Sequence, residues 1–156
     1  MNNLPHNSAN ALPPVDISRL AQTMQTSFGI SLFQAPKQQV ATANLNGLAV
    51  TFAILGSILI VRADAYTKLA TKSGIPTFHL AANQFNSTNP VAKAAVVDRA
   101  EHFIIRTEIA IAISTGLTDT QLAGSLKNAV DNVLNAHQSL GKITSQVLNT
   151  IEDTEA

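Results

Sequence analysis

The stretch that decides the fold runs from Gln38 to Val61 and reads QQVATANLNGLAVTFAILGSILIV. It contains no charged residue; Lys37 precedes it and Arg62 follows it. The part from Val50 onward is apolar on every face of a helix, and a soluble monomer has too little room to hide such a helix. The stretch therefore predicts a long hydrophobic helix that is buried by a bilayer or by other subunits.

The helical pattern continues from this stretch to Lys72, where Gly74 and Pro76 form a stop signal. A kink or a break is expected at the residues that suit the interior of this helix least, namely Asn44, Asn46 and Gly47.

A first helix is predicted before the stretch, with Asp16 or Ser18 as its cap. Its apolar residues recur at spacings of three and four: Ile17, Leu20, Met24, Phe28 and Leu32. Pro36 should end or kink this helix. Residues 1–15 are rich in Asn and Pro and are expected to form a flexible arm.

The chain after the stretch is predicted to form a loop over residues 73–89, within which residues 76–89 fit a loop or a short helix, and then a further helix. Asn89 followed by Pro90 is typical of a helix start, and this helix should run to Gly116. The strict alternation from Ile109 to Ser114 also fits a short strand, and the pattern does not decide between the two.

The last helix begins with a capping box, because Thr118 is followed three residues later by Gln121. Its apolar seam alternates between spacings of four and three: Leu126, Val130, Val133, His137, Leu140, Thr144, Val147 and Ile151. Such a seam packs either inside a bundle of one chain or as a coiled coil between subunits.

The predicted fold class is all-α, with four to five helices and one long hydrophobic central helix. The helices are expected to pack as a hairpin or bundle that oligomerisation completes. Residues 16–156 would form a single helical domain after the arm, with a hydrophobic half (16–72), a loop (73–89) and an amphipathic half (90–156).

The composition argues against a nucleic-acid partner. Charged residues make up 13% of the 156 residues, and ten basic residues balance ten acidic ones. A chain without a positive field is a poor nucleic-acid binder, whereas a net charge of zero favours association with other copies. Cysteine is absent, which excludes disulfides and thiolate chemistry. The first residues lack the basic and apolar regions of a secretory signal, so the cytosol is the expected compartment.

The sequence contains no motif that indicates catalysis. None of its four histidines has a second one at metal-ligand spacing, and no phosphate loop, nucleophile elbow or dinucleotide fingerprint occurs. The charges between Asp98 and Glu108 mix both signs, which indicates a salt-bridged helix surface. We therefore expect no enzymatic activity, metal, cofactor or small-molecule substrate.

From Leu20 the chain reads LAQTMQTSFGISLFQAPKQQ, and it resembles the start of the Reb proteins, which build bacterial refractile bodies (R-bodies). The matching residues are Leu20, Gln22, Thr23, Met24, Ser27, Gly29, Ile30, Ala35, Gln38 and Gln39. An apolar segment follows in the family too, so the resemblance extends to Val61, but Pro36 and Lys37 depart from the family pattern. The resemblance implies small helical subunits that polymerise into a ribbon, which unrolls as the pH falls and ruptures a membrane.

The main hypothesis is accordingly a self-assembling structural protein in the bacterial cytoplasm, whose partners are copies of itself or close paralogues and whose target is a membrane. The self-association residues are expected on the central and last helices: Val50, Ile54, Leu55, Ile58, Leu59, Val61, Val130, Val133, Leu140 and Val147. The resemblance makes His102 and His137 candidates for pH sensing, because the charge of histidine changes near neutral pH.

Two alternatives stay open. In the first, residues 40–61 cross a bilayer as the span of a holin or a pore-forming toxin. Asn44 and Asn46 count against it, because they shorten the apolar run to about fifteen residues, below the usual length of a span. In the second, the chain is a soluble helical module that binds another protein.

Overall fold

The computed structural model describes residues 11–73, 76–98 and 101–155. Within these ranges the chain forms an antiparallel sheet and three α-helices. The helices are α1 (Ile17–Phe28), α2 (Thr77–Thr88) and α3 (Asp119–Glu155). The strands are β1 (Phe33–Gln34), β2 (Val40–Leu45), β3 (Leu48–Leu55), β4 (Ile58–Ala70), β5 (Lys93–Val97) and β6 (His102–Ala112), and a short 3₁₀-helix, Thr71–Ser73, follows β4.

The predicted all-α fold is wrong. The uncharged stretch Gln38–Val61 forms β2, β3 and the start of β4, so the long central helix does not exist. The residues expected to kink a helix form a hairpin turn: Asn46 and Gly47 join Leu45 to Leu48, with φ angles of 52° and 80°. Positive φ at both central positions is what a type I′ turn requires, and Asn-Gly supplies it at the lowest cost.

A second two-residue turn, Gly56-Ser57, joins β3 to β4. Gly56 has a φ of 59°, and glycine adopts this value without the steric penalty of a Cβ atom. The two tight turns fold the stretch into a three-stranded antiparallel meander, in which neighbouring strands satisfy the backbone groups that a helix would have satisfied internally.

The sheet order is β1-β2-β3-β4-β6-β5, and all neighbours are antiparallel. The longest pairing joins β4 to β6, from Ile58 opposite Ala112 to Tyr66 opposite Ile104, and a bulge follows. This pairing unites the hydrophobic first half of the chain with its second half in one sheet.

The second half also differs from its prediction. The segment predicted as a loop over 73–89 contains α2, so the short helix was the correct alternative for residues 76–89. The helix predicted from Pro90 is replaced by β5 and β6. Asn89 does act as a cap, but of a turn: its Oδ1 accepts hydrogen bonds from the backbone N–H groups of Val91 and Ala92. The alternating run after Ile109 lies in β6 as far as Ala112, so the strand was the correct alternative there.

The first and last helices start where their caps predict. Asp16 accepts a hydrogen bond from the N–H of Arg19 at 2.7 Å, and the capping box of Thr118 with Gln121 is closed by bonds of 2.9 and 3.1 Å. The first helix ends earlier than expected, because Gly29 takes the left-handed C-cap conformation with a φ of 67°.

The main core lies between α1, α3 and one face of the sheet. Its most enclosed large side chains come from all three layers: Phe52, Leu20, Met24, Leu59, Leu122, Leu126, Val50, Val61 and Val133. The buried hydroxyl of Thr107 on β6 donates to the carbonyl oxygen of Val133 at 2.9 Å, which fixes α3 against the sheet. A smaller cluster, centred on Phe85 and Leu140, joins α2 to α3 and β5.

Candidate functional site

The sheet has one face under the helices and one face that no described helix covers. Every buried strand residue belongs to the helix-covered face: Ala41, Val50, Phe52, Leu59, Val61, Ala63, Ala94, Phe103 and Thr107. The cross-strand pairs assign the alternate residues to the other face, which we call the open face: Val40, Thr42, Asn44, Ala49, Thr51, Ala53, Leu55, Ile58, Ile60, Arg62, Asp64, Tyr66, Ile104, Arg106, Glu108, Ala110, Ala112, Lys93, Ala95 and Val97. None of these residues is buried.

One end of the open face is apolar. We call this region the turn-end patch; it consists of Val40, Leu55, Ile58 and Ile60 beside the turn between β3 and β4, with alanines as the neighbouring residues on β3 and β6. Leu55 is 63% exposed and Ile58 is 41% exposed, so both side chains present apolar surface to the solvent.

The opposite end of the open face is also apolar. This second region, the bulge-end patch, consists of Tyr66, Ile104 and Val97, which are direct cross-strand neighbours on β4, β6 and β5. Tyr66 is the only tyrosine of the chain and is 72% exposed. Exposed apolar patches rimmed by polar residues are typical of interaction surfaces.

A band of four paired charges separates the two patches. Arg62 on β4 donates from Nε and Nη2 to the same carboxylate oxygen of Glu108 on β6, at 3.1 and 3.0 Å. One row further, Arg106 on β6 binds both carboxylate oxygens of Asp64 on β4, at 2.8 and 2.9 Å. The signs alternate along and across the strands, so each charge is neutralised within the band.

The Asp64–Arg106 pair is the more enclosed of the two, with side-chain exposures of 12% and 24%. The hydrogen bonds that Arg106 donates to Asp64 raise the pKa of Arg106, and their effect is larger than the opposite effect of the partial burial of Arg106. Adding Lys93, which stands opposite Glu108, the five charged groups of the open face sum to +1 (three basic minus two acidic).

The edges of the sheet offer little room for a further strand. At the β5 edge, the side chain of Asn86 on α2 accepts from the N–H of Ala94 at 2.8 Å and donates to its carbonyl oxygen at 2.9 Å. The amide thus occupies the two backbone groups that Ala94 would offer to a neighbouring strand. At the other edge, β1 is only two residues long. Short edge strands and covered edge groups are two ways in which proteins prevent edge-to-edge association.

The structure distributes the ten predicted self-association residues over several environments. Six of them are buried in the chain's own core or against α2: Val50, Leu59, Val61, Val130, Val133 and Leu140. Ile54 and Val147 are half-buried, whereas Leu55 and Ile58 lie exposed in the turn-end patch. The ten residues therefore do not form one surface.

The two candidate pH-sensing histidines lie on opposite sides of the sheet. His102 is exposed at the start of β6, whereas His137 on α3 donates from Nε2 to the carbonyl oxygen of Ala63 at 2.9 Å. A carbonyl accepts a hydrogen bond from neutral or protonated imidazole alike, and a role in pH sensing stays a prediction. Among the described residues, no group of three or more His, Cys, Asp or Glu side chains could hold a metal ion.

The charged band was missed because its residues were placed on helices. Arg62 with Asp64, and Arg106 with Glu108, stand two residues apart, which puts each pair on one face of a strand and on different faces of a helix. The two-residue spacing of the charges indicated strands, but the apolar residues before and after each pair made the segments resemble apolar helices.

No family model and no curated protein matches the chain. Solved structures with the same fold do exist. YbjN from E. coli has a TM-score of 0.65 at 16% identity, covering 82% of this chain and 96% of that one. A chain of the HopA1–SchA chaperone–effector complex has a TM-score of 0.50 at 14% identity, covering 78% and 94%. A chain of the Yersinia pestis complex between the type III secretion chaperone SycH and a fragment of YscM2 has a TM-score of 0.47 at 19% identity, covering 77% and 98%. At these identities, the likeness to the first two shows the fold alone.

These findings correct the predicted function. The self-assembling R-body-like polymer is wrong, because it required an all-helical subunit and the chain has a sheet fold shared with YbjN and the SchA complex. The membrane-inserting alternative is wrong as well, because residues 40–61 form strands and not a helical span. Among the described residues, none of the helices is long and apolar enough to cross a membrane.

Proposed function

We propose that the chain is a non-enzymatic module that binds another protein, and that the open face is its binding surface. The observation that carries the proposal is the combination of exposed apolar side chains with charges that are already paired. Leu55, Ile58 and Tyr66 gain most from losing contact with water, at about 25 cal/mol per Å² of apolar surface. The paired band lowers the desolvation penalty that isolated charges would impose.

The likeness to the HopA1–SchA complex supports a protein partner, because a chaperone of similar fold is bound there to an effector. The partner in that complex is a different protein, so the likeness lends no support to copies of this chain as its partner. The chain is thus closest in function to its second predicted alternative, a protein-binding module, although its fold is not helical. We retain the cytosol as its proposed compartment.

Site-specific photocrosslinking in the source cell tests the proposal. A photoreactive amino acid replaces Leu55 on the open face in one variant and Leu80 in the other. Leu80 lies on α2, away from the open face, and is 47% exposed, so it is a matched control. We expect position 55 to form an adduct with one other protein, identified by mass spectrometry, and position 80 to form none with that protein.

The adduct is then verified with purified components. Leu55→Ser should weaken binding of the identified protein at least tenfold, whereas Leu80→Ser should leave it unchanged. Equal adducts from both positions, or equal affinities of both variants, would contradict the assignment of the open face.

A further inference from the structure

We infer that the open face binds an amphipathic helix of the partner protein, with two apolar anchor groups about 14 residues apart and an uncharged polar segment between them. This inference rests on the proposed function and specifies the chemistry of the partner. Three properties of the open face lead to it: the paired backbone of its strands, the distance between its patches, and the paired charges at its centre.

The backbone of the open face favours a helix over a single extended segment as the bound conformation. Strands β3, β4 and β6 each have a neighbouring strand on both sides, so their N–H and C=O groups form hydrogen bonds within the sheet and are not available to a segment lying on the open face. A segment that lies on the face must therefore satisfy its own backbone groups, and a helix does so internally. An extended segment needs a free strand edge, but Asn86 occupies the edge groups of Ala94 on β5, and β1 pairs with Ala41 and Thr42 of β2, so only short lengths of edge remain.

The distance between the patches sets the spacing of the anchors. Ile60 in the turn-end patch and Tyr66 in the bulge-end patch are six residues apart on β4, which is about 20 Å at roughly 3.3 Å per residue. A helix rises 1.5 Å per residue, so it spans this distance in about 14 residues, close to four full turns. Side chains separated by four turns point in the same direction, and both anchors can face the sheet.

The centre of the face selects the residues between the anchors. A charged side chain placed over the band would be desolvated beside charges of both signs, which are already bound to each other. An apolar side chain there would cover the ion pairs without replacing their water contacts. Asn, Gln, Ser and Thr side chains both donate and accept, so they can replace the water at Arg62 and Glu108.

Three synthetic peptides of identical composition test the inference with the full-length protein. The first peptide carries one pair of leucines at each anchor position, and the two anchor positions are 14 residues apart with Gln and Ser between them. In the second peptide the two anchor positions are 7 residues apart. The third alternates leucine with polar residues, as a strand would. We expect the first peptide to bind at least tenfold more tightly than the other two, measured by fluorescence anisotropy of a labelled peptide.

Variants of the protein place the peptide on the face. Tyr66→Ser and Leu55→Ser should each weaken binding of the first peptide at least tenfold, because each removes one anchor site, and Leu80→Ser should not. Equal binding of the three peptides, tighter binding of the alternating peptide, or a dimer of the chain that Leu55→Ser dissociates would each overturn the inference. A crosslinked partner at position 55 combined with any of these peptide results would refute the helix and leave the protein-binding role intact.

Discussion

Asp64 is the most enclosed carboxylate of the charged band, and its two oxygens are both bound to Arg106. The contribution of this pair to stability should be intermediate. Exposed ion pairs contribute almost nothing, whereas disrupting a buried pair costs several kcal/mol. The hydrogen bonds to Asp64 raise the pKa of Arg106, which is strongly basic even in a free side chain, so the guanidinium is charged at neutral pH. The stability that the raised pKa of Arg106 contributes is fully present below the pKa that Arg106 has in the unfolded chain. It would be lost only as the pH rises through the higher pKa of the folded protein.

Replacing Arg106 with leucine should destabilise the protein by about 2 kcal/mol, because the enclosed Asp64 loses the guanidinium that binds both of its oxygens. Urea unfolding followed by circular dichroism measures the change. The double variant, Asp64→Leu with Arg106→Leu, should recover most of the lost stability, because neither partner remains in the enclosed site without the other. The exposed pair Lys127–Asp131 is the control: Lys127→Ala should change stability by less than about 0.5 kcal/mol. Equal effects of Arg106→Leu and Lys127→Ala would show that the band is not enclosed.

Among the elements, the helices with local signals were the predictable ones. Asp16, Thr118 and Gln121 mark the helix starts because a side chain that caps a helix is close in sequence to the N–H groups it binds. The strands carried a conflicting signal. Both faces of β3 and β4 are largely apolar, so the alternation that identifies a strand was concealed, and the uncharged run read as a helix.

The turns held the missing information. Asn46-Gly47 lies between two apolar runs, which is a strong local signal for a hairpin, and a second two-residue turn with a glycine, Gly56-Ser57, follows ten residues later (46 to 56). The open face could not have been derived even with correct strands. It depends on the pairing of β4 with β6, which brings Arg62 to Glu108 across 46 positions of sequence. No local pattern encodes such a pairing.

The covered edge of β5 leads to a prediction at the same scale. Asn86→Ala leaves the N–H and C=O of Ala94 without the side-chain amide that binds them, and these backbone groups are half-enclosed. We expect a loss of about 1–2 kcal/mol in urea unfolding and a greater tendency to aggregate, because the edge becomes available to another strand.

Asn83→Ala provides the matched control, since Asn83 lies exposed one turn earlier on α2. It should leave both the urea midpoint and the light scattering of concentrated samples unchanged. If Asn86→Ala behaved in the same way, the amide would not be protecting the edge.

The whole molecule depends on contacts between its two halves. The side chains of Phe52 and Leu59 belong to the first half, and Leu126 and Val133 of α3 belong to the second; all four are fully buried in one core. The sheet is divided in the same way, because β4 has β6 as its neighbour on one side. Either half alone would expose most of this core and one long strand edge.

We therefore predict that a chain cut between residues 74 and 75 yields two fragments that are each unfolded and that fold on mixing. Neither fragment alone should show a cooperative urea transition by circular dichroism, whereas the equimolar mixture should show one. Val133→Asp in the second fragment should abolish recovery, because it places an unpaired charge in the shared core. Asn128→Asp, at an exposed position of the same helix, should permit recovery. A cooperative transition of either fragment alone would mean that one half contains a sufficient core, and it would contradict the prediction.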